Sequence, residues 1–207
     1  MKIASLKLSY VSASIPLAYL LWFVTFYLRP FNFWFDISLS SLILFLVAIT
    51  SGRKIPLLRK GLGMQSFVAV LSASILYLVF FFGNRLTYLI PSAGSYVQSI
   101  YALALGTNPL LLSVLLIFPI ASGEEVFWRG FVQTSFSERY GNKTGYLISV
   151  LGDTTVHLSS LNPMLILSAF ITSLVWAFIF LYTKSLLPSL TSHIIWDLLV
   201  FVLIPVR

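Results

Sequence analysis

Long apolar runs separated by short polar segments dominate the hydrophobic pattern of the chain. A membrane core about 30 Å thick requires about 20 apolar residues per helix. Seven runs approach that length, so we predict seven membrane-spanning helices. These runs cover residues 8–28, 33–50, 66–83, 109–136, 145–158, 164–183 and 186–204. We predict segment 84–108 as either a helix at the membrane surface or an eighth span.

The composition supports this class of protein. Hydrophobic residues make up 58% of the 207 residues and charged residues 9%, whereas a soluble domain is about 25% charged. We therefore predict an all-α, polytopic membrane bundle that forms a single domain over residues 1–207, with a monomer favoured. The chain contains no cysteine, which excludes disulfides, thiolate catalysis and zinc–thiolate sites.

The basic residues predict the orientation. With seven spans, nine of them fall on the side of the N-terminus and three on the other side, so the N-terminus and segment 51–63 are expected in the cytoplasm. The nine are Lys2, Lys7, Arg53, Lys54, Arg59, Lys60, Arg139, Lys143 and Lys184, and the three are Arg29, Arg85 and Arg207. The net charge of +7 is then a topology signal beside anionic lipid, and no nucleic-acid partner is expected. The first span lacks a small-residue cleavage site and is expected to be an anchor.

Ionisable residues lie inside several predicted spans. An ionised side chain at the membrane centre costs roughly 2.5–3.5 kcal/mol on insertion scales, so each must be paired, protonated or next to a wet cavity. Four of the six acidic residues and both histidines are placed in this way. They are Glu124, Glu125, Asp153, His157, His193 and Asp197.

Helical spacing separates the two adjacent glutamates. Glu125 and Arg129 are four residues apart, so they share a helix face and are predicted to form an ion pair. Glu124 is rotated by about 100° from Glu125, so the same arginine cannot bind both equally. One carboxylate is therefore held by Arg129 while Glu124 remains available for chemistry.

The later spans contribute two further polar pairs. His193 and Asp197 are four residues apart in "SHIIWD" and place an imidazole and a carboxyl on one helix face. Asp153 either bonds His157, four residues later, or belongs to a polar wall. Three tryptophans of the spans are assigned to packing or to the membrane interface rather than to substrate binding: Trp128, Trp176 and Trp196.

These motifs resemble those of a known family. The stretch "EEVFWR", residues 124–129, matches the EExxxR motif of the CAAX-protease and bacteriocin-processing family, also called CPBP or Abi, of glutamate-type intramembrane endopeptidases. His193 and Asp197 resemble its HxxxN or HxxxD motif. Its FxxxH motif is met only at His157, since residue 153 is Asp rather than Phe. The resemblance covers the helices within residues 109–204.

The resemblance implies hydrolysis of a peptide bond within or beside the membrane, without a cofactor. Glu124 would act as the general base and hold a water together with His157. His193 and Asp197 would polarise the scissile carbonyl, or Asp197 would instead orient His193. The supporting residues would be Glu125, Arg129 and Asp153, with Asp153 orienting His157.

Several alternatives remain open at this point. Glu124, His157 and His193 would also make a zinc ligand set, although no HExxH motif is present. A proton-coupled transporter uses membrane carboxylates and histidines, but it would be expected to show inverted repeats, which the sequence lacks. A catalytically silent scaffold or immunity protein is the third alternative.

The predicted topology also bears on the substrate. The membrane of a prokaryotic cell is the expected location, and the substrate would be a membrane-anchored protein or peptide. His157 lies near the non-cytoplasmic end of its predicted span, which favours an exported protein or leader peptide over a prenylated cytosolic tail. An eighth span in 84–108 would reverse this preference.

Overall fold

A computed structural model describes residues 2–57 and 61–206, and for residues 2–8 the backbone alone. The described residues form eight helices and no strand, so the predicted all-α fold is confirmed. The helices are α1 (Lys2–Phe23, continued by a wider turn over Val24–Leu28), α2 (Phe33–Thr50), α3 (Leu62–Thr87), α4 (Ala93–Ala102), α5 (Pro109–Tyr140), α6 (Asn142–Val156), α7 (Pro163–Thr183) and α8 (Leu186–Leu203).

Six of these helices are long and apolar enough to cross a membrane, namely α1, α2, α3, α5, α7 and α8. The remaining predicted span, 145–158, corresponds to α6, which has 15 residues and is followed by a 3₁₀ turn over His157–Ser160. At 1.5 Å per residue α6 is about 23 Å long, and the 3₁₀ turn adds about 8 Å. The seven predicted spans are therefore six long helices and one shorter helix completed by a turn.

Segment 84–108 does not cross the membrane. Its helix α4 has 10 residues and is about 15 Å long, half the thickness of a membrane core. The Asn162 side chain at the start of α7 fixes α4 by donating to the Tyr96 carbonyl and the Ser99 hydroxyl. The alternative of an eighth span is therefore not found, and the surface-helix interpretation is the one that the structure supports.

Asparagine caps define where three helices begin. The side chains of Asn32, Asn108 and Asn162 accept hydrogen bonds from the first backbone N–H groups of α2, α5 and α7. Pro109 and Pro163 occupy the first helical positions, where the missing N–H has no cost. Trp34 of α2 and Asn162 before α7 both donate to carbonyls of the segment that precedes α5, Leu103 and Tyr96. The three helix starts therefore lie at one end of the bundle, which we call the cap end.

The opposite end, which we call the basic end, contains the loop after α2, the junction of α5 with α6 and the junction of α7 with α8. Arg53 forms an ion pair with Glu138 there, and Lys184 donates to Asn142. Several basic residues that decide the predicted orientation have side chains outside the described residues, namely Lys2, Lys7, Arg59, Lys60 and Arg207. A cytoplasmic N-terminus stays a prediction.

A break divides α5 just before its acidic pair. Phe118 has φ −146° and ψ 126°, outside the helical region, and Pro119 follows it. Proline lacks the N–H that would continue the helical hydrogen bonds, and its ring clashes with the preceding turn. The segment after the break is almost wholly buried between the other helices, and it contains Glu124 and Glu125.

Two glycines allow the neighbouring helices to approach α5 closely. A Cβ on Gly123 would overlap the backbone carbonyl of Ser41 in α2. A Cβ on Gly152 of α6 would lie 2.6 Å from the Trp128 ring of α5. Because side chains are absent at both crossings, α2 and α6 pack directly on α5 and hold its acidic pair in place.

Candidate active site

The two adjacent glutamates have different surroundings. Glu124 lines an internal cavity and is 9% exposed, whereas Glu125 is fully buried outside the cavity lining. Arg129 Nη1 lies 3.4 Å from Glu125 Oε1, as the four-residue spacing predicts. The predicted ion pair is therefore present, and Glu124 is the carboxylate that faces the cavity.

Arg129 has a second and closer carboxylate partner. Its Nη1 donates to Asp153 Oδ2 of α6 at 2.6 Å, and the side chain is fully buried. Asp153 Oδ2 also accepts a hydrogen bond of 2.7 Å from Ser173 of α7. One buried ionic cluster thus joins α5, α6 and α7 behind the cavity.

The predicted role of Asp153 requires a correction. Its carboxylate does not orient His157, because it is bound to Arg129 and Ser173 instead. The backbone carbonyl of Asp153 is the group that bonds His157 Nδ1, at 2.8 Å. In a helix the carbonyl four residues back lies close to the side chain, so the main chain supplies a contact that the sequence attributed to the carboxylate.

His157 has a further partner from the first helix. The indole Nε1 of Trp22 in α1 lies 3.3 Å from His157 Nε2. The ring of Phe26, one turn later in α1, lies with its centroid 5.6 Å from that of His157. The imidazole therefore sits between the start of the 3₁₀ turn after α6 and the buried face of α1.

His193 of α8 lies between two carboxylates. Its Nδ1 is 3.2 Å from Glu125 Oε1, and its Nε2 is 3.5 Å from Asp197 Oδ2. The Trp176 indole of α7 stacks on the imidazole with ring centroids 3.7 Å apart and planes inclined by 16°. Glu125 is thus the nearer carboxylate partner of His193, although the sequence pattern pointed to Asp197.

One cavity of about 310 Å³ connects these groups. Five ionisable residues from α5, α6, its 3₁₀ turn and α8 line it, namely Glu124, Asp153, His157, His193 and Asp197. Most of the remaining wall is apolar and aromatic, with rings from α1, α2, α3, α4, α7 and α8. Phe26 and Phe33 lie at the cap end, as does Thr87, so the cavity extends toward that end of the bundle.

Comparison with known proteins agrees with the motifs. Residues 105–199 match the sequence model of a family described as Type II CAAX prenyl endopeptidase Rce1-like. This match confirms the resemblance to the CAAX-protease family. The matched segment contains the acidic pair of α5 and all the other ionisable residues of the cavity. No curated protein and no solved structure matches the chain.

Part of the cavity wall lies outside the segment that matches the CAAX-protease family. Trp22 and Phe26 of α1 contact His157, and Trp34 of α2 also lines the cavity. No sequence signal pointed to these residues, because aromatic positions in an apolar span are typical of packing. Trp176 and Trp196, which the sequence assigned to packing, also line the cavity.

The zinc alternative requires Glu124, His157 and His193 to approach one point. Within residues 2–57 and 61–206, no three His, Asp or Glu side chains are arranged to hold a metal ion. Both nitrogens of His157 and both of His193 instead have partners in the protein. The residues present do not fit a zinc site in this arrangement.

Proposed function

We propose that the protein is an intramembrane endopeptidase in which Glu124 activates a water molecule. The observation that supports this proposal is the placement of four side chains, on three helical segments, around one largely apolar cavity. These are Glu124, His157, His193 and Asp197. The family described for residues 105–199 is a family of endopeptidases, which supports the same reaction class.

Glu124 is the proposed general base. A water near Glu124 would attack the carbonyl carbon of the scissile peptide while the carboxylate takes its proton. The same proton would then pass to the leaving amide nitrogen as the carbon–nitrogen bond breaks, which yields a carboxylic acid and an amine. Because Glu125 is engaged by Arg129 and His193, Glu124 is the member of the pair that can make this transfer.

His157 is proposed to hold the water together with Glu124. Its Nδ1 is bonded to the Asp153 carbonyl, which can only accept a hydrogen bond. The proton of a neutral ring is therefore on Nδ1, and Nε2 has the lone pair that can accept a hydrogen bond from water.

His193 is proposed to stabilise the oxyanion that forms during the attack, with Asp197 orienting its ring. His193 Nδ1 donates a hydrogen bond to the Glu125 carboxylate. Donation to an oxyanion therefore requires a second proton, on Nε2. Glu125 on one edge, Asp197 on the other and the face of Trp176 surround the ring, an environment that suits a positively charged imidazolium. A preorganised donor of this kind typically contributes about 10²–10³ in rate.

We propose a membrane-anchored or exported protein or peptide as the substrate. The cavity extends toward the cap end, away from the basic end that contains Arg53, Arg139 and Lys184. By the positive-inside rule the basic end faces the cytoplasm, so the cavity would open to the other side. Its aromatic walls suit apolar side chains on either side of the scissile bond.

Cleavage of membrane-anchored peptides by the purified protein tests this proposal, with fragments identified by mass spectrometry. Glu124→Gln is expected to lower kcat by about 10²–10⁴, the usual contribution of a general base. Glu138→Gln is the matched control because Glu138 lies on the same helix α5 with a 61% exposed side chain. Equal activity of Glu124→Gln and wild type would overturn the proposal. Proton flux into liposomes that Glu124→Gln abolishes would favour the transporter instead.

A further inference from the structure

Trp22 of α1 makes a hydrogen bond that determines the state of His157. The indole Nε1 is 3.3 Å from His157 Nε2, and the Trp22 side chain is fully buried. An indole N–H can donate but cannot accept. His157 Nε2 must therefore be the acceptor and cannot bear a proton while this bond is present.

The other ring nitrogen, Nδ1, must instead be a hydrogen-bond donor. His157 Nδ1 lies 2.8 Å from the Asp153 carbonyl oxygen, which accepts and cannot donate. Nδ1 therefore bears the proton. The two contacts require the same tautomer, with the proton on Nδ1 and the lone pair on Nε2, and each disfavours every other form of the ring.

We propose that Trp22 is a positioning residue that fixes His157 in this tautomer and orientation. The inference rests on the proposed function, in which His157 Nε2 accepts a hydrogen bond from the attacking water. The Asp153 bond holds one edge of the ring and leaves it free to tilt about that bond. The Trp22 bond holds the opposite edge, and Phe26 contacts the ring from the same helix.

The location of His157 makes a second anchor necessary. His157 is the residue at which α6 ends and the 3₁₀ turn His157–Ser160 begins. Backbone at a helix end frays more easily than backbone in the middle of a helix. An anchor from α1, 135 positions earlier in the chain, ties this point to a different helix, so the ring stays in place when the turn moves.

The indole also keeps Nε2 satisfied when no water is bound. At 3.3 Å the bond is longer than the common distance of about 2.9–3.0 Å for such bonds, so a water that donates to Nε2 displaces it readily. Trp22 therefore keeps His157 Nε2 unprotonated and correctly oriented until the water of the proposed reaction binds.

Two variants of α1 separate positioning from simple helix tethering. Trp22→Phe keeps an aromatic ring but removes the N–H. Tyr19→Phe is the matched control: the Tyr19 hydroxyl hydrogen-bonds Thr155 of α6, so its loss also removes a bond between α1 and α6. Tyr19 is 41% exposed and does not line the cavity. We expect Trp22→Phe to lower kcat about 10-fold, as losing a partner that orients a functional histidine does, and to leave KM within about twofold of wild type. The activity of Tyr19→Phe should also stay within about twofold of wild type.

Nitrogen-15 NMR of the imidazoles tests the same inference without any substrate. The chain has 2 histidines, so histidine-labelled protein in detergent gives a simple spectrum, and a His193→Gln sample assigns it. Wild type should show His157 with its proton on Nδ1, and Trp22→Phe should show exchange between the two tautomers. If wild type shows the proton on Nε2, or if Trp22→Phe leaves the spectrum unchanged, positioning by Trp22 is refuted.

The two readouts distinguish this inference from the proposed function. A tautomer change in Trp22→Phe, with no peptide cleaved even by wild type, would refute the proposed peptidase and leave the positioning of His157 standing. A kcat that is unchanged or rises in Trp22→Phe would show that His157 does not depend on the indole for its orientation, which overturns the positioning role. If Trp22→Phe fails to fold, 3-benzothienylalanine at position 22 replaces it in both measurements, because sulfur takes the place of the N–H while the size of the ring is kept. An unchanged tautomer and an unchanged kcat would refute positioning by Trp22.

Discussion

Replacing Arg129 with alanine removes the positive charge that lies between Glu125 and Asp153 in the interior of the bundle. The guanidinium is fully buried, and its Nη1 is 2.6 Å from Asp153 Oδ2 and 3.4 Å from Glu125 Oε1. Removing one partner of a buried ion pair costs about 3–5 kcal/mol, because it leaves an uncompensated charge in a low-dielectric interior. We expect Arg129→Ala to lose stability in this range, and Arg129→Lys to lose less because an ammonium still neutralises one carboxylate.

Thermal unfolding of the purified protein in detergent measures this loss. For a chain of this size each kcal/mol lowers Tm by about 2–4 °C, so Arg129→Ala should unfold about 6–20 °C below wild type. Glu138→Ala is the matched control because it breaks the ion pair with Arg53 by removing the partner whose side chain is 61% exposed. Exposed pairs contribute about 0–1 kcal/mol, so this control should unfold within a few degrees of wild type.

Equal losses of Tm in Arg129→Ala and Glu138→Ala would refute the reasoning, since burial would then have no effect on the contribution of the charge. A double variant locates the cause of a large loss. Adding Asp153→Asn to Arg129→Ala removes one of the two stranded carboxylates, so part of the Tm should return. No recovery would mean that the loss comes from missing side-chain packing rather than from charge.

Four further outcomes follow from the structure. Gly123→Ala should lose about 1–3 kcal/mol in chemical denaturation because its Cβ overlaps the Ser41 backbone, whereas Gly94→Ala, with open space around it, should lose nothing; similar losses would contradict the close packing of α2 on α5. Asp197→Asn should keep more of kcat than Asp197→Leu, because the amide oxygen still accepts a hydrogen bond from His193 Nε2, whereas Asp197→Leu should lose about 10–100-fold; equal rates would remove Asp197 from the proposed mechanism. Trp176→Leu should lower kcat about 10-fold through loss of its stacking on His193, and an unchanged rate would limit Trp176 to packing. Dialysis against a chelator should leave cleavage unchanged, whereas inactivation reversed by zinc would support the metal alternative.

Hydropathy predicted most of the membrane helices because each span must satisfy its backbone hydrogen bonds internally and present apolar side chains along its whole length. The break at Phe118 did not follow from that signal, whereas the short length of α6 did, since the predicted span 145–158 is also well below about 20 residues. A proline in an apolar run shows that a helix is perturbed, but it does not give the angle or the depth of the break.

The candidate site was predictable where a pairing depended on spacing along one helix. The contact of Glu125 with Arg129 follows from four-residue spacing, and that of His193 with Asp197 does so at 3.5 Å. Contacts between helices did not follow, because a single sequence does not state which helix faces lie against each other. The capture of the Asp153 carboxylate by Arg129 and the bond from Trp22 to His157 both belong to this second kind.

The ionisable groups of the cavity and much of its wall come from two different segments of the chain. The ionisable groups lie within residues 105–199, whereas much of the surrounding wall is supplied by α1, α2, α3 and α4, which precede that segment. Substitutions among the wall residues would alter which side chains fit without disturbing any proton-transferring group. Chimeras that exchange the first hundred residues but keep Trp22 and Phe26 would therefore be expected to change which side chains the cavity accepts while its ionisable groups stay in place.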